Sequence, residues 1–558
     1  MTRKNRAVLH YIKSKDDWAG YKSNFIGSDY MFGDGSQPPV FLKNRGTNQN
    51  VSMLSRLTFD ANGNGKISTV TIPQSKFLGL YRSSQAAVMV GNTVHIAGMS
   101  YEDETGREDY NVANYYMRYN LDTNAFDLKF MGWTGSASQA TVDEHNEPAL
   151  LIDSLGYLHY FSGAHNHQIW HRKSLLPVTD SNWNNVWGAN VTADDKFSPG
   201  PNKSVARYSS DSVPQLGVDY VGSLTKAYTY VHPRIDSQNI IHLIMRESLS
   251  KGYKLIYIRG IPKGNGDYLW TDEGALVHPS WYQYSTYTQK IHQDNKDNIY
   301  AIYGYSIQNF KDNTWFNQKT KAIKSTQADC AALTTADDCI NVKDDHLKRW
   351  ADEALAGSSN RYEQPYQHDT VIIGSVNFGK TWALTTTEEF LNRATKSPLS
   401  ALAGAELTEN NKLALYGFAK GGSNSYSFAW TLDGNAVGNT ATTLLSSISA
   451  GQHQITLTVS DGQTTATHTI SVLVLATPTL TTTPGTTTSD TTAVEVNGTV
   501  GTKVWVNGVP VATIDATGKV TVNLDTSGGN GTKSFAIRLK DSNNNTSPTL
   551  NLTIERVS

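Results

Sequence analysis

The sequence predicts an all-β protein, a seven-bladed β-propeller followed by two immunoglobulin-like β-sandwich domains. Three observations predict it. Strand signals of period two dominate between about residue 50 and about residue 400, where helical periodicity is scarce. Within that stretch one turn-and-strand pattern recurs at several places. Beyond it the texture changes to short alternating strands separated by Asp-Gly turns.

At 558 residues the chain is long enough for several domains and a large core. The recurring pattern is Asp153-Ser-Leu-Gly-Tyr-Leu-His159, Asp236-Ser-Gln-Asn-Ile-Ile-His242 and Asp294-Asn-Lys-Asp-Asn-Ile-Tyr300, with Val90-Gly-Asn-Thr-Val-His95 as a shortened form. Each reads as an acidic hairpin turn feeding an inner strand of a radial array of blades. The intervals of 64, 83 and 58 residues mean that the blades carry unequal insertions. At roughly 40–50 residues per blade plus insertions, residues 1–400 make about seven blades. Ser375-Val-Asn-Phe-Gly-Lys-Thr-Trp382 resembles the Asp-box turn S-x-D-x-G-x-T-W of sialidase-like propellers, with Asn377 in the Asp place. It marks fold rather than chemistry, since such turns sit at blade peripheries. Val342 to Ala356 is the best helical stretch, with Leu347, Trp350, Ala351 and Leu355 on one face, and is expected to lie on the propeller surface.

Residues 401–476 read as an immunoglobulin-like sandwich without a disulfide, with Trp430 in its core and turns at Asp433-Gly434 and Asp461-Gly462. The stretch resembles PKD-type and bacterial Ig-like modules. Thr477 to Thr492 reads as a Thr/Pro-rich linker, and residues 493–558 as a second bacterial Ig-like sandwich.

Composition narrows the partners. A net charge of −2 and 18% charged residues give no basic field for nucleic acid. No apolar run is long enough to enter a bilayer as a span. The opening MTRKNRAVLHYIKSK lacks the apolar core of a secretory signal, so the expected extracellular location implies either a removed signal or exposure on a phage particle. The 28 Tyr and 12 Trp suit strands, and suit sugar-stacking clefts as well. Cys330 and Cys339, with eight residues between them, allow a local disulfide or two free thiols.

The richest stretch is Asp143 to Ser174, which holds His145, His159, His165, His167 and His171. Ala149 to Asp153 and Tyr157 to Phe161 read as two strands joined at Ser154-Leu155-Gly156. His145 precedes the first and His165 follows the second, so the hairpin brings their ends together. Imidazoles beside Gly163 and Asn166 at strand ends suit an open cleft. One blade further on stand Tyr228, Tyr230, Arg234 and Arg246, and then Tyr287 before the next strand.

HNEPALLIDSLGYLHYFSGAH followed by TYVHPRIDSQNIIHLIMR resembles the propeller polysaccharide lyases of the ulvan-lyase type, also described as BNR-repeat proteins. The resemblance covers roughly residues 40 to 400. The family pattern has a His before one strand, a His in G-x-H after its partner, then a Tyr and an Arg one blade on. Those positions here are His145, His165, Tyr230 and Arg246. Relatives more often join the Tyr directly to a Pro, which leaves Tyr228 as the alternative to Tyr230. The resemblance implies β-elimination on a uronate of an anionic polysaccharide. Arg246 and His165 would neutralise the carboxylate, His145 would act as base and Tyr230 as acid, or the last two with roles exchanged. Tyr287, Trp170, Asn166, Tyr228 and Arg234 would bind substrate.

No cofactor is expected in catalysis. A structural zinc or calcium is left open, with His167, His171, Cys330, Cys339, His346 and His368 as candidate ligands. Two other readings stay open: a sialidase-like hydrolase, which would need an arginine triad drawn from Arg82, Arg172, Arg207, Arg234, Arg246 and Arg259, and a phage-tail or secreted protein that binds glycan or depolymerises it. The Ig-like modules would anchor the chain to glycan or to a larger assembly.

Overall fold

The computed structural model describes residues 6–12, 17–23, 30–32, 40–44, 52–59, 61–62, 65–71, 77–78, 86–100, 111–135, 148–163, 169–178, 187, 218–221, 228–249, 252–263, 268–277, 286–306, 314–317, 323–324, 326–342, 368–385, 397–408, 411–541 and 545–558. They fall into two compact units, 1–375 with 379–391, and 376–378 with 392–558. The chain is all-β, a propeller followed by Ig-like sandwiches.

In the first unit, antiparallel sheets succeed one another along the chain. A hairpin, Arg6–Ile12 with Asp17–Ser23, comes first. The first sheet is Tyr30–Phe32, Val40–Asn44, Ser52–Phe59 and Gly65–Thr71. The second comprises Phe77–Leu78, Ala87–Val90, Thr93–Ser100, Asn111–Asn120 and Phe126–Gly135. The third runs Ala149–Ile152, Leu158–Gly163, Ile169–Lys173 and Val218–Val221. The fourth runs Tyr228–Ile235, Ile241–Leu249, Gly252–Pro262 and Tyr268–Val277. The fifth is Thr286–Gln293, Ile299–Ser306, His368–Ser375 and Ala383–Leu384. Five blade-like sheets thus stand among the described residues, beside the seven blades expected.

The radial order follows from packing. Ala87–Val90, Ala149–Ile152, Tyr228–Ile235 and Thr286–Gln293 lie against one another in sequence. The first three bury nearly every side chain because each is wedged between two sheets, whereas Lys290 and His292 of the last are exposed. Leu150 joins Val88, Tyr116 and Met131 of the second sheet, whereas Ala149 and Leu151 join Val231, Leu243 and Met245 of the fourth. Ile291 and Ile299 of the fifth sheet complete a third core with Ile244 and Tyr257. The strands bearing His159, His242 and Tyr300 are second in their four-stranded sheets, inner strands as the repeat suggested.

The acidic turns are built alike. Asp153, Asp236 and Asp294 each close the turn through the backbone, donating to the carbonyls of Tyr157, Ile240 and Asn298. Each Oδ1 also accepts two backbone N–H groups, at 2.8–3.0 Å: Leu155 and Tyr157, Gln238 and Ile240, Lys296 and Asn298. The third residue past each Asp is left-handed, at φ 86° for Gly156, 63° for Asn239 and 57° for Asp297, where Gly, Asn and Asp are the tolerated types. Those residues also clasp the neighbouring sheet. Asn239 exchanges two 2.9 Å bonds with Ser154, and Asp297 accepts from Ser237.

Ser375 to Trp382 forms the turn between the last two strands of the fifth sheet. Gly379 N–H donates to Ser375 Oγ at 2.9 Å, and Trp382 Nε1–H to the Gly379 carbonyl at 3.0 Å. A Cβ on Gly379 would meet Tyr257 at 2.3 Å, so the box seats on the fourth sheet only as glycine. An insertion after Ser306 carries a three-stranded sheet and the short helix Gln327–Ala331. There Cys330 and Cys339 are joined in a disulfide. The helix expected at 342–356 lies outside the described residues.

The second unit has two cores. Ser400–Thr408, Lys412–Lys420 and Thr442–Leu445 face Asn435–Gly438, Ser427–Leu432, Gly451–Ser460 and Thr465–Val474 across Trp430, Leu415 and Leu457. In the second sandwich, Val496, Val504, Ile537 and Ile554 form the centre. The expected Thr/Pro linker at 477–492 is a correction. Thr479–Leu480 pairs with Thr491–Asn497, and Thr486–Thr487 runs parallel to Leu550–Arg556. Threonine is β-branched and suits an edge strand as well as a spacer, so composition alone misassigned it.

Candidate active site

Tyr230 and Arg246 are the sequence-predicted residues that the fold brings together. Tyr230 lies on Tyr228–Ile235 and Arg246 on its antiparallel partner Ile241–Leu249. Register runs Thr229 to Arg246 and then His232 to Ile244, so one extra residue enters the first strand between them. That bulge puts Tyr230 at φ 58°, left-handed backbone that a bulky residue rarely adopts. The Arg246 guanidinium sits 4.7 Å from the centroid of the Tyr230 ring, and both residues are buried. Stacking engages the face of the guanidinium, whereas a carboxylate is bound along its edge, so the geometry accommodates both.

The bulge also separates Tyr230 from its alternative. Tyr228 is fully buried in the apolar cluster with Leu243 and Met245. It is a core residue. Arg234, four residues beyond Tyr230, is half-buried and donates to the Pro233 carbonyl at 3.1 Å. Burial draws its pKa down to about 10. His232 beside it is held neutral, its pKa lowered to about 3 by burial and by the charges of Lys290 and Arg234. Tyr287 stands on Thr286–Gln293 at the edge of an equivalent bulge, between Tyr287 and Lys290. Gln289 within that bulge is buried, and its side-chain amide donates to the Tyr230 carbonyl at 3.3 Å. Nothing in the residue pattern pointed to Gln289.

His145, His165 and Asn166 lie outside the described residues, and Trp170 is placed only as a backbone position on Ile169–Lys173. Two other members of the histidine-rich stretch correct the cleft reading. His159 and His171 are buried in the third sheet, His159 Nδ1 lying 2.9 Å from His171 Nε2. His159 Nε2 meets Asp153 Oδ2 at 3.3 Å, so its proton sits on Nε2 and its Nδ1 accepts from His171. Burial holds both imidazoles below their ordinary pKa, His171 far below. The carboxyl of Asp153 is pushed up by burial but pulled further down by His159 and the turn amides. The fourth sheet repeats the chain, Asp236 Oδ2 to His242 Nε2 at 3.2 Å and His242 Nδ1 to Tyr257 Oη at 2.6 Å. In the fifth, Tyr300 Oη donates to Asp294 Oδ2 at 2.9 Å, and in the second, His95 Nδ1 and Tyr116 Oη share a hydrogen bond of 2.6 Å. In the third and fourth sheets the acid–His pair, and in the fifth the acid–Tyr pair, is therefore a staple tying the turn to its sheet.

The metal candidates narrow too. The disulfide removes Cys330 and Cys339 as thiolate ligands, and His171 is committed to His159. His167 and His346 lie outside the described residues, as does the side chain of His368. Among the described residues no group of three His, Cys, Asp or Glu is arranged to hold a metal. The arginines weighed as a triad are dispersed: Arg172 donates to the Trp187 carbonyl, Arg259 pairs with Glu273, and Arg246 covers Tyr230. Arg82 and Arg207 lie outside the described residues.

No protein-family model matches the chain, and no curated protein sequence does. Among solved structures it is similar to the polysaccharide lyase Uly1, at 13% identity over 84% of this chain and 89% of that one, with a TM-score of 0.32. It is also similar to a PL25 ulvan lyase, at 11% identity over 86% and 94%, TM-score 0.31. A Bombyx mori GH32 β-fructofuranosidase matches at 9% identity over 95% and 86%, TM-score 0.28. Likenesses of this strength carry no weight for activity, which has to be read from the side chains.

Proposed function

We propose that the chain is a polysaccharide lyase that cleaves a uronate-containing anionic polysaccharide, ulvan-like in kind, by β-elimination. The observation that carries this is Tyr230, held in left-handed backbone at a bulge with its ring over the Arg246 guanidinium. A strained aromatic beside a buried cation supports a working site better than a packing role. Arg246, with His165, binds the uronate carboxylate. A base, His145, takes the C5 proton. The electrons left at C5 pass through the carboxylate-stabilised enolate and form the C4–C5 double bond as the C4–O bond breaks. Tyr230 gives its phenolic proton to the leaving oxygen, or takes the base role with His145 as acid. Tyr287, Trp170, Asn166 and Arg234 contribute to sugar subsites; no metal or organic cofactor takes part in the elimination, and a structural metal is a separate matter.

The substrate is met outside the cell or on a phage particle, and the Cys330–Cys339 disulfide is in keeping with an oxidising compartment. The Ig-like modules anchor the chain to glycan or a larger assembly. Among the described residues no helix is long and apolar enough to cross a membrane.

The test is ultraviolet absorbance during incubation with a panel of uronate polysaccharides, ulvan first. Growth of the unsaturated-uronate band, lost in Tyr230→Phe and His145→Ala, is the expected result. New reducing ends without that band would replace elimination by hydrolysis. Retention on a glycan column without cleavage would leave a binding protein.

A further inference from the structure

Two bulges on neighbouring sheets are tied to each other. The first, between Thr229 and His232, holds Tyr230 and Val231 opposite the strand carrying Met245. The second, between Tyr287 and Lys290, holds Thr288 and Gln289 opposite the strand carrying Tyr303. The first strands of the two sheets pack together, and the Gln289 amide crosses between them to the Tyr230 carbonyl at 3.3 Å. A bulge takes its residues out of the regular ladder, so the carbonyl of a bulged residue needs a partner from elsewhere. Here the partner is a buried side chain from the next sheet. That bond fixes the peptide following Tyr230. With that peptide restrained, the bulged backbone that carries the Tyr230 side chain is restrained as well.

We propose that Gln289 is a positioning residue, holding the bulge that aims the Tyr230 phenol over Arg246 toward the reacting sugar. This rests on the lyase reading. Gln289 does not touch the substrate and acts through the backbone of Tyr230. Substrate affinity, set by Arg246 and the subsites, is largely independent of it, whereas proton transfer by Tyr230 is not. Geometry of a reacting group is the quantity to which rate is most sensitive.

The experiment compares wild type, Gln289→Leu, Gln289→Glu and Ile291→Val by steady-state kinetics on the substrate cleaved best, with melting temperature measured in parallel. Leu keeps the bulk and cannot donate. Glu donates only when protonated. Ile291 is buried on the same strand and belongs to the apolar core alone, so its variant reports a purely structural loss. The expected result for Gln289→Leu is a kcat reduced roughly ten- to a hundredfold with KM little changed. Gln289→Glu should recover rate relative to wild type as pH falls, and Ile291→Val should lose melting temperature but keep kcat. A Gln289→Leu enzyme with wild-type kcat, or one whose rate falls only in step with melting temperature as in Ile291→Val, overturns the positioning role while leaving the lyase reading intact. A wild-type protein that eliminates on no uronate polysaccharide overturns both.

Discussion

Tyr230 occupies backbone that costs an L-tyrosine on the order of 1–3 kcal/mol, and two neighbours hold it there, the Arg246 guanidinium over its ring and the Gln289 amide on its carbonyl. Because the ring and its oxygen do different things, they can be separated. Tyr230→Phe keeps the ring over the guanidinium and removes only the transferable proton. It should melt like wild type while kcat falls by about 10²–10⁴, the usual worth of a positioned acid or base. Initial rates set beside a melting curve decide it, and a Phe variant retaining most of its kcat would remove Tyr230 from the chemistry. Arg246→Lys asks a different question. Lysine keeps the charge but loses the planar fork that stacks on a ring and grips a carboxylate with two bonds. Its kcat/KM on a polymeric uronate should drop by at least about tenfold, and a near-normal value would show that charge alone suffices.

At the scale of the element, the hairpin turns are the units that repeat. In the fourth sheet Asp236 accepts from the amides of Gln238 and Ile240 and from His242 Nε2, so three donors depend on one carboxylate. Asp236→Ala strands two fully buried donors and should cost about 3 kcal/mol in urea unfolding, while Asp236→Asn, which keeps the turn acceptor, should cost about half as much. Equal losses in the two variants would mean that the turn bonds, not the His242 link, are dispensable. These turns were legible because Asx chemistry writes itself locally: an Asp, a left-handed Gly, Asn or Asp three places on, and an apolar strand. What the turn acid reached toward was not legible. His159 and His171 look from spacing like the same chemistry as His145 and His165, and only the sheet shows that they face inward to each other. Likewise Tyr228 and Tyr230 are two apart and would share a face of a regular strand. The extra residue after Thr229 breaks that alternation, and period-two reading carries no mark of a bulge.

At the scale of the whole molecule, the histidines of the propeller and of the first sandwich are shifted in opposite directions. In the propeller His95 and His232 have pKa values lowered to about 3, and His159 and His171 are lowered as well, burial being the largest cause in each. Unfolding returns each to about 6.5, so between these values the unfolded chain binds more protons than the folded one. Their contribution is complete above pH ~6.5 and is lost as pH falls through that window, at up to about 1.4 kcal/mol per pH unit for each histidine. In the first sandwich His453 has a raised pKa, through its bonds to Asp433 at 2.7 Å and to the Ser449 carbonyl at 2.9 Å. A raised value works the other way: its contribution is complete below the unfolded pKa and is lost only as pH rises through the folded one. Asp433, the partner of His453, is exposed, so solvent screening keeps that contribution small. Lowering pH from 7 to 4 should therefore loosen the propeller first, because the lowered carboxylates of the sandwich, Asp433 and Asp461, give up most of their contribution only below their ordinary pKa near 4. Hydrogen exchange by mass spectrometry, corrected for the intrinsic pH dependence of amide exchange, reads the two separately. Peptides spanning residues 228–263 should lose protection steeply across this range while those spanning 427–474 hold theirs. Parallel loss in both units would mean that the buried imidazoles do not govern acid stability, and that some charge common to the whole chain does.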